Sequence, residues 1–443
     1  MTSTNVLWFR RDLRLADNPA LLAAAAGADE VLPLFVLDDR LRRPSGAPRV
    51  AFLYRCLREL DEATGGRLVV LRGRPENVLP RVARGAAATA VHVAADFGPY
   101  GTERDRRVAD ALDSTPLVTT GSPYAVAPGR VGKSDGSPFK VYSPFYRAWC
   151  RHGWRAPAGA ARVRWSTAVQ STGIPADPPL PAGLTLPAAG ERAAMQRWAD
   201  FRSELAGYSD GRDRPDLPAT SLMSAYLKFG CVHPRTLLAD LSGPGAETYR
   251  KELAWREFYA DVLWHNPESA RDYYRAEFAK MRYDTDDTAF QAWSQGRTGY
   301  PIVDAGMRQL LAEGWMHNRV RMIVASFLVK DLHQEWTRGA RWFLEHLVDG
   351  DLASNNHGWQ WVAGCGTDAA PYFRIFNPVT QGRRFDPAGD YVRRYIPELA
   401  GISGADVHEP WTLPEPPTDY PDRIVEHARE RRESLRRLAE IRS

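Results

Sequence analysis

The sequence predicts an α/β N-terminal domain built on a parallel, doubly wound sheet and joined to an all-α C-terminal domain. Short apolar or β-branched runs alternate with helical patterns from residue 1 to about 125, which is typical of a parallel α/β sheet. Later in the chain, long helical stretches replace the strand pattern. We therefore expect an α/β domain over residues 1–125, a linker over 126–195 and a helical domain over 196–443.

Five strand candidates define the predicted sheet. In chain order they are "NVLWFR", "EVLPLFVLD", "RLVVLRG", "AVHVAAD" and "PLVTT". Between the second and third, Val50, Leu53, Leu57 and Leu60 recur near a 3.6-residue period, which predicts a helix packed on one face of the sheet. No GxGxxG or GxxxxGKS follows any strand, so the two common phosphate-binding fingerprints are missing.

The connector contains "APAGAARVRW" and "GIPADPPLPAGLTLPAAG", which cannot sustain a long helix. Helical stretches follow it, among them "AETYRKELAWREFYADVLWHN", "GYPIVDAGMRQLLAEGW" and "RVRMIVASFLVKDLHQEWTRGARWFLEHLV". The charged tail "DRIVEHARERRESLRRLAEI" predicts a solvated terminal helix.

Composition excludes several classes of protein. The chain has 58 Lys and Arg against 54 Asp and Glu, a surplus too small to indicate nucleic-acid binding unless the charges cluster. Its four cysteines show no CxxC or metal spacing, which argues against disulfides and a metal site. No stretch reaches 18 apolar residues, so we expect a cytoplasmic protein with no membrane contact. The 14 Trp, 17 Tyr and 16 Phe supply planar surface for a ligand or for the core.

Hydroxyl groups cluster in "ATSLMSAYLKFG". Thr220, Ser221 and Ser224 lie at the start of a helical pattern. There, hydroxyls and free backbone amides can receive phosphate oxygens or simply cap the helix.

The stretch "KELAWREFY" mixes polar and aromatic side chains on one helix. Glu252, Arg256 and Tyr259 share a side at helical spacing, with Trp255 and Phe258 beside them. Such a face can hold a base-like ring by stacking and a carboxylate hydrogen bond, although amphipathic packing explains it equally well.

In "GWMHNRVRMI", Asn318, Arg319, Arg321 and Met322 fall within about one helical turn, where a core helix is normally apolar. Polar residues at this interval favour a functional site over a core helix.

The segment "DGDLASNNHGWQW" combines carboxylates, amides and indoles. A turn explains Asp349, Gly350 and Asp351, but it does not explain the amides that follow next to Trp359 and Trp361. An isoalloxazine ring would suit these groups, because it has a planar apolar face and an edge of donors and acceptors.

At this point the chain closely resembles the photolyase and cryptochrome flavoproteins, most closely the class I photolyases that repair cyclobutane pyrimidine dimers. The motifs that carry the resemblance occur in order: "WREFY", "GYPIVDAGMRQL", "GWMHNRVRM", "DGDLASNNHGWQW" and "GTDAAPYFRIFNP". It extends from "LWFRRDLRLADNPAL" to "RRYIPEL" near residue 399. The family's fold is an α/β antenna domain joined by a long loop to a helical domain that binds a U-shaped FAD.

The resemblance implies two sets of FAD-binding residues. The set for the phosphates and ribityl chain is Tyr208, Thr220, Ser221 and Ser224, and Leu222 and Met223 between them are further cofactor-binding residues. The set that lines the flavin is Arg321, Asp349, Gly350, Asp351 and Asn355, with Asn355 near N5 and Arg321 paired with Asp349. Where many relatives have Arg-Leu-Ser-Pro, this chain has Leu222 to Ala225, so the hydroxyl positions transfer most safely.

The resemblance also implies a pocket for a flipped-out dimer in UV-damaged DNA. Its catalytic residues would be Glu252, Trp255, Asn318, Met322 and Trp361, and the DNA contacts would be Arg212, Arg319 and Gln381. The indoles can stack on extruded thymines and arginines can take phosphates. In the family, excited FADH⁻ donates an electron to the dimer, the cyclobutane ring splits and the electron returns.

The family reduces its flavin through three tryptophans, and this chain matches two of them. Trp359 and Trp336 align, whereas Tyr283 stands in the third position. We expect Tyr283 either to serve as the terminal electron donor or to be bypassed by Trp264 or Trp342. His357 stands where many relatives have Gly; it either tunes the flavin or caps a turn, and the second interpretation is favoured.

Alternatives within and outside the family stay open. Photolyases of the (6-4) type carry two histidines where this chain has Asn318 and Met322, which argues against that substrate. A blue-light-sensing cryptochrome would often have Asp or Cys at Asn355 and a long C-terminal extension. A dark electron-transfer flavoprotein would have no need for Trp255, Met322 and Trp361 facing a lesion.

A second chromophore is implied as well. "ADFGPYGTERD" and Lys228 resemble relatives that bind 8-hydroxy-5-deazaflavin, with Asp96 and Gly101 as contacts; methenyltetrahydrofolate is the alternative. Val36 stands where that subgroup can have Cys. We expect a monomer that associates with the nucleoid when it is bound to DNA.

Overall fold

The computed structural model describes residues 2–368 and 373–441 of the chain. Five strands form one sheet: β1 (Thr4–Phe9), β2 (Glu30–Leu37), β3 (Val69–Arg72), β4 (Ala88–Val93) and β5 (Leu117–Thr119). All four neighbouring pairs are parallel, and the order is β3-β2-β1-β4-β5. This confirms the predicted parallel sheet, and each strand overlaps its predicted run.

The sheet is buried because helices cover it, as a parallel sheet requires. All six residues of β1 and seven of the eight in β2 are buried, which is why these strands are continuous apolar runs. The helices in this part of the chain are α1 (Pro19–Ala26), α2 (Asp39–Arg42), α3 (Ala47–Ala63), α4 (Pro75–Gly85) and α5 (Pro99–Ala111). Helix α3 is the helix predicted between the second and third strands.

From residue 126 onward the described regular structure is helical. The α-helices are α6 (Tyr142–His152), α7 (Gly190–Glu204), α8 (Tyr208–Gly211), α9 (Ser224–Phe229), α10 (Pro234–Asp240), α11 (Ala246–His265), α12 (Asp287–Ser294), α13 (Pro301–Glu313), α14 (Asn318–Ser326), α15 (Trp336–His346), α16 (Leu352–Ala363), α17 (Pro378–Phe385), α18 (Asp390–Tyr395) and α19 (His427–Glu440). Residues 153–189, all described, contain no helix, as the Pro and Gly content predicts. The charged tail forms α19.

One predicted helical stretch is interrupted. Residues 319–348 do not form a continuous helix: α14 runs into a π-helical turn, Phe327–Asp331, and α15 begins only at Trp336. The amide of Leu332 donates to the carbonyl of Phe327 at 3.0 Å, and His333 has a left-handed φ of 50°. The apolar period alone does not show this break.

The chain divides into two compact units. Unit 1 contains the residues up to Leu180, Pro187–Leu205 and Ser221–Pro267; unit 2 contains Pro181–Leu186, Ala206–Thr220 and the residues from Glu268 onward. The predicted domain boundaries near residues 125 and 195 stay a prediction. They separate segments by their expected role, whereas the two units described here are defined by packing. None of the helices described here is long and apolar enough to cross a bilayer.

Candidate functional site

The residues proposed from the sequence are divided between the two units. Unit 1 contains Asp96, Gly101, Ser221, Leu222, Met223, Ser224, Lys228, Glu252 and Trp255. Unit 2 contains Tyr208, Arg212, Thr220, Tyr283, Asn318, Arg319, Arg321, Met322, Trp336, Asp349, Gly350, Asp351, Asn355, Trp359, Trp361 and Gln381.

In unit 1, helix α11 presents Glu252 and Trp255 one turn apart, both half-buried. The ring of Tyr142, on α6, stacks on the Trp255 indole with centroids 3.7 Å apart and planes 9° apart. The Tyr142 hydroxyl donates to the Lys251 carbonyl at 2.7 Å, which fixes the stack. One face of the indole is therefore covered, and a ligand ring can stack only on the other.

Two other residues of the α11 stretch are structural. Arg256 donates to the carbonyls of Pro123 and Leu227 at 3.1 and 3.2 Å, and Phe258 is fully buried. Tyr259 is half-buried, as Glu252 and Trp255 are.

The hydroxyl-rich segment before α9 is held in place by its own unit. Ser221 Oγ accepts from the Tyr249 hydroxyl at 3.0 Å and from the Met223 amide at 3.4 Å, while the Ser221 carbonyl accepts from Arg197 at 2.9 Å. Leu222 has a left-handed φ of 55° and a 41% exposed side chain. A non-glycine residue in that region is strained, which is frequent in ligand-binding loops. Ser224 opens α9, as expected.

The predicted antenna residues lie near the carboxyl edge of the sheet. Asp96 accepts from Arg104 at 3.0 Å and from the Phe97 amide at 2.9 Å. Burial alone would raise the pKa of Asp96, but the guanidinium groups around it, Arg104 first, hold the pKa well below its usual range. A Cβ at Gly101 would collide with the Asp96 carboxyl group, so close packing against Asp96 accounts for this glycine.

Lys228 lies on α9 and is half-buried, and its carbonyl accepts from Arg11 Nε at 3.4 Å. Val36 is buried in β2.

In unit 2, Arg321 and Asp349 form the ion pair that the resemblance implies. Arg321 Nη2 donates to Asp349 Oδ2 at 2.8 Å, and Arg321 Nε donates to the Met316 carbonyl at 2.8 Å. The Asp349 side chain is 3% exposed. Its second oxygen, Oδ1, is buried and accepts no hydrogen bond within residues 2–368 and 373–441. Buried acceptors are normally satisfied, so this oxygen fits a donor supplied by a ligand.

Helix α16 positions the two other predicted flavin residues. Asp351 is its N-cap and accepts from the Ser354 amide at 3.2 Å. Asn355, one turn into the helix, donates through Nδ2 to the Ala340 carbonyl at 3.1 Å and to Asn356 Oδ1 at 2.9 Å. Both amide hydrogens are thus used within the protein, which leaves the Asn355 carbonyl oxygen to accept from a ligand.

His357 is buried inside α16 and packs rather than lines a pocket. Its Nδ1 lies 2.8 Å from the Ala353 carbonyl and its Nε2 lies 2.9 Å from Ser269 Oγ. Burial lowers the pKa of His357 to about 4, so the ring is neutral at physiological pH. Both ring nitrogens are engaged inside the helical core, so this histidine bridges elements instead of capping a turn.

Helix α14 presents Asn318 and Met322 one turn apart, Asn318 exposed and Met322 half-buried. Arg319 donates to Asp213 Oδ1 at 2.9 Å and lies 4.5 Å from the centre of the Phe385 ring. Its charge is already compensated, so a DNA phosphate would have to compete with Asp213.

Trp361, at the end of α16, is half-buried, and its Nε1 donates to the Asp368 carbonyl at 3.2 Å. The guanidinium of Arg374 lies 5.7 Å from the centre of the indole. Residues 369–372 of the motif "GTDAAPYFRIFNP" lie outside the described residues.

Further aromatic rings contact the residues predicted to carry electrons. Trp359 is buried and meets Phe343 edge-on at 5.0 Å. Trp336 is buried and meets Tyr273 edge-on at 6.0 Å, and Tyr273 stacks with Tyr283 at 6.4 Å. Tyr273 therefore joins Trp336 to Tyr283.

The remaining predicted residues lie near the start of unit 2 and on α17. Tyr208 is buried in α8, with the Arg212 guanidinium 5.9 Å from its ring centre. Thr220 and Gln381 are half-buried, and Gly350 is the buried residue between the two carboxylates.

Sequence reasoning missed three residues that contact the proposed site residues. Tyr142 backs Trp255, Arg374 covers part of Trp361, and His317 caps α14 by accepting from the Arg319 amide at 3.1 Å. Tyr142 lies in the segment assigned to the linker, far from Trp255 in sequence, so no local pattern could pair them. Within the described part of the chain, no group of three or more His, Cys, Asp or Glu could hold a metal ion.

Similar proteins were found for nearly the whole chain. Residues 249–440 match a family described as the FAD binding domain of DNA photolyase, and residues 5–162 match one described as DNA photolyase. A Streptomyces griseus protein named deoxyribodipyrimidine photo-lyase is 43% identical, covering 97% of this chain and 98% of the relative. An Escherichia coli protein of the same name is 38% identical, covering 98% of each.

Solved structures are similar over the same length. A class III photolyase from Agrobacterium tumefaciens has a TM-score of 0.90 at 36% identity, covering 100% of this chain and 98% of that one. An archaeal photolyase from Sulfolobus tokodaii, solved with two FAD molecules, has a TM-score of 0.85 at 29% identity, covering 99% and 100%. A cryptochrome from Synechocystis has a TM-score of 0.90 at 26% identity, covering 98% and 99%.

Proposed function

The chain belongs to the DNA photolyase family, and from this premise we propose that it is a light-driven repair enzyme for UV-damaged DNA. It splits the cyclobutane ring of a pyrimidine dimer and so acts as a carbon–carbon lyase. The observation that carries this function is the full-length similarity to relatives named deoxyribodipyrimidine photo-lyase, at 36% to 43% identity over at least 96% of the chain.

FAD is the cofactor, and the described residues fit it. The buried Asp349 Oδ1 has no donor within residues 2–368 and 373–441, and the Asn355 carbonyl oxygen is left as an acceptor. The donor-bearing edge of an isoalloxazine ring can supply both partners. Bound FAD would supply the light absorption and the single electron that dimer splitting needs. The protein's own part is to hold Asp349 in place, which Arg321 does through the ion pair at 2.8 Å.

For the lesion we propose Trp255 as the stacking surface, with Glu252 beside it as hydrogen-bond acceptor. Tyr142 covers one face of the indole at 3.7 Å, so an extruded thymine would use the other. Stacking of a base on an aromatic side chain contributes about 1 to 3 kcal/mol. We propose Asn318, Met322 and Trp361 as further residues for the lesion, and Arg212 and Gln381 as contacts for the DNA backbone.

Within the family we assign the chain to the class I photolyases, on the motifs that span its length. One of the similar solved structures is a class III photolyase, so the class is a proposal. We expect a cytoplasmic monomer that associates with the nucleoid when bound to DNA.

For the second chromophore we propose 8-hydroxy-5-deazaflavin, with methenyltetrahydrofolate as the alternative. The sequence around Asp96 and Lys228 supports the first. The Sulfolobus tokodaii structure with two FAD molecules makes FAD a further candidate. Adding each compound to the purified protein, and measuring transfer of excitation energy to the bound flavin, distinguishes the three.

The repair activity is tested on purified protein that is chemically reduced and mixed with a thymine-dimer oligonucleotide. Absorbance near the thymine band is followed under blue light and in darkness. We expect recovery only in the light. No recovery with reduced FAD bound would overturn the repair function and favour a blue-light sensor, the activity suggested by the similar cryptochrome.

Trp255→Ala is the matched test of the lesion site. It should raise the Kd for dimer-containing DNA by about 5- to 150-fold, as loss of about 1 to 3 kcal/mol of stacking predicts, and leave the Kd for undamaged DNA nearly unchanged. An unaltered preference for damaged DNA would remove Trp255 from the pocket.

A further inference from the structure

We propose that the exposed cations on α6 and in the chain on either side of it form a second surface for DNA, one that binds backbone phosphates beside the lesion site. We call it the linker surface and define it by Lys140, Arg147, Arg151, Arg155 and Arg162. The proposal rests on the repair function above, because it needs DNA bound next to Trp255.

The first support is charge. Residues 136–176 contain six Lys and Arg and no Asp or Glu. The rest of the chain contains 52 Lys and Arg and all 54 Asp and Glu, so without this segment the net charge would not be positive. The near-neutral total conceals a cluster of the kind that marks nucleic-acid contact.

The second support is that these charges are not compensated. Arg164 pairs with Glu30 at 2.9 Å. The five residues of the linker surface are exposed, and none of them has an ion-pair partner in the described part of the chain. Arg147 and Arg151 also lie four residues apart on one helix, where like charges repel each other. An anionic partner would relieve this repulsion.

The third support is position. The buried face of α6 packs on α11, the helix that carries Glu252 and Trp255. Tyr142 stacks on Trp255 at 3.7 Å, and Trp149 Nε1 donates to Glu257 at 2.7 Å, so α6 is attached to α11 near both of its ends. The exposed face of α6 is thereby fixed next to the proposed stacking surface.

The positions of two arginines on α6 can be compared with the spacing of phosphates along a DNA strand. Arg147 and Arg151 lie five and nine residues after Tyr142, which corresponds to about 8 and 14 Å along the helix axis. For a duplex that runs along α6, with about 3.4 Å of axis per phosphate of one strand, these positions fall about two to four phosphates from a base stacked on Trp255. The nearby carboxylate of Glu247 is engaged with Arg250 and with the Tyr146 hydroxyl, so it does not neutralise the arginines.

The test compares two triple variants with equal loss of charge. One is Arg147→Gln/Arg151→Gln/Arg155→Gln. The control is Arg67→Gln/Arg81→Gln/Arg84→Gln, three exposed arginines of the same unit that lie outside the linker surface and also lack a carboxylate partner among the described residues. Circular dichroism and flavin content confirm that both fold. Fluorescence anisotropy then gives the Kd for damaged and undamaged duplex over a range of KCl concentrations.

We expect the first variant to lower the slope of log Kd against log salt by about two to three, because each lost phosphate contact removes about one. Its Kd should rise at least tenfold at low salt, equally for damaged and undamaged DNA. The control variant should keep the slope of the unchanged protein. An unchanged slope in the first variant, or the same change in both, would overturn the proposal.

Trp255→Ala separates this result from failure of the proposed function. It should reduce the preference for damaged DNA without changing the salt slope. If Trp255→Ala reduces the preference while the first triple variant binds normally, the linker surface fails and the lesion site stands. If the triple variant changes the slope while Trp255→Ala has no effect, the linker surface binds DNA phosphates, but the lesion site at Trp255 fails and with it the placement of the surface beside the lesion.

Discussion

The Arg321–Asp349 ion pair gives a quantitative test of how the proposed flavin side is held. Arg321→Met removes the donor at 2.8 Å and leaves a carboxylate, 3% exposed, with no hydrogen-bond partner in the described chain. Breaking a buried ion pair in this way costs about 3 to 5 kcal/mol. The Arg321 side chain is 24% exposed, so we expect the lower end, about 3 kcal/mol of unfolding free energy.

Asp349→Asn is the matched change on the other side of the pair. The amide oxygen can still accept from Arg321 and no charge is left buried, so the expected loss is about 1 kcal/mol. In the double variant the unpaired carboxylate is gone. Its loss should be about 1 to 2 kcal/mol, well below the sum of about 4 kcal/mol that independent sites would give.

Urea unfolding of the flavin-free proteins, followed by far-UV circular dichroism, yields the four free energies by linear extrapolation. A double-variant loss within about 0.5 kcal/mol of the sum would refute the reasoning, because the two side chains would then act independently. FAD retention supplies a separate readout: Asp349→Asn should release FAD more readily, and equal retention would remove Asp349 from the flavin site.

Three other predictions follow from single residues. Tyr283→Phe and Tyr273→Phe should each slow photoreduction of the bound flavin, measured by bleaching under blue light; an unchanged rate removes that tyrosine from the route. Asn355→Asp cannot donate to the Ala340 carbonyl and should lower the unfolding free energy by about 1 to 3 kcal/mol, so equal urea midpoints would contradict the bond. Burial lowers the pKa of Lys330 to about 7 from 10.5, so the unfolded chain binds the proton more tightly and stability should rise between pH 7 and 10. The Lys330→Met variant should lack this rise. If its unfolding free energy changes with pH as that of the unchanged protein does, Lys330 is not the cause of the rise.

The sheet was predictable because a parallel strand covered on both faces must be apolar throughout. The runs in β1 and β2 consist almost entirely of buried residues, and no side chain from elsewhere is needed to recognise them. Helix α11 was predictable for a related reason, since its apolar residues follow the helical period.

The break between α14 and α15 was not predictable, because long-range contacts define it. Lys330 is buried and donates to the Arg374 carbonyl, while Asp331 contacts His427 on α19. Neither partner is near in sequence. The same holds for Tyr142 and Trp255, whereas the Arg321–Asp349 pair was expected only from the resemblance to known flavoproteins.

The π-helical turn has a consequence for how this chain can vary in length. A π turn is an α-helix with one residue inserted, so deletion of one residue within Phe327–Asp331 would regularise the local hydrogen bonding. It would also remove one of five side chains that are all buried. Two of the five, Lys330 and Asp331, contact the Arg374 carbonyl and His427. Deletion of Asp331 itself would therefore also break the connection to the terminal helix, which begins at His427.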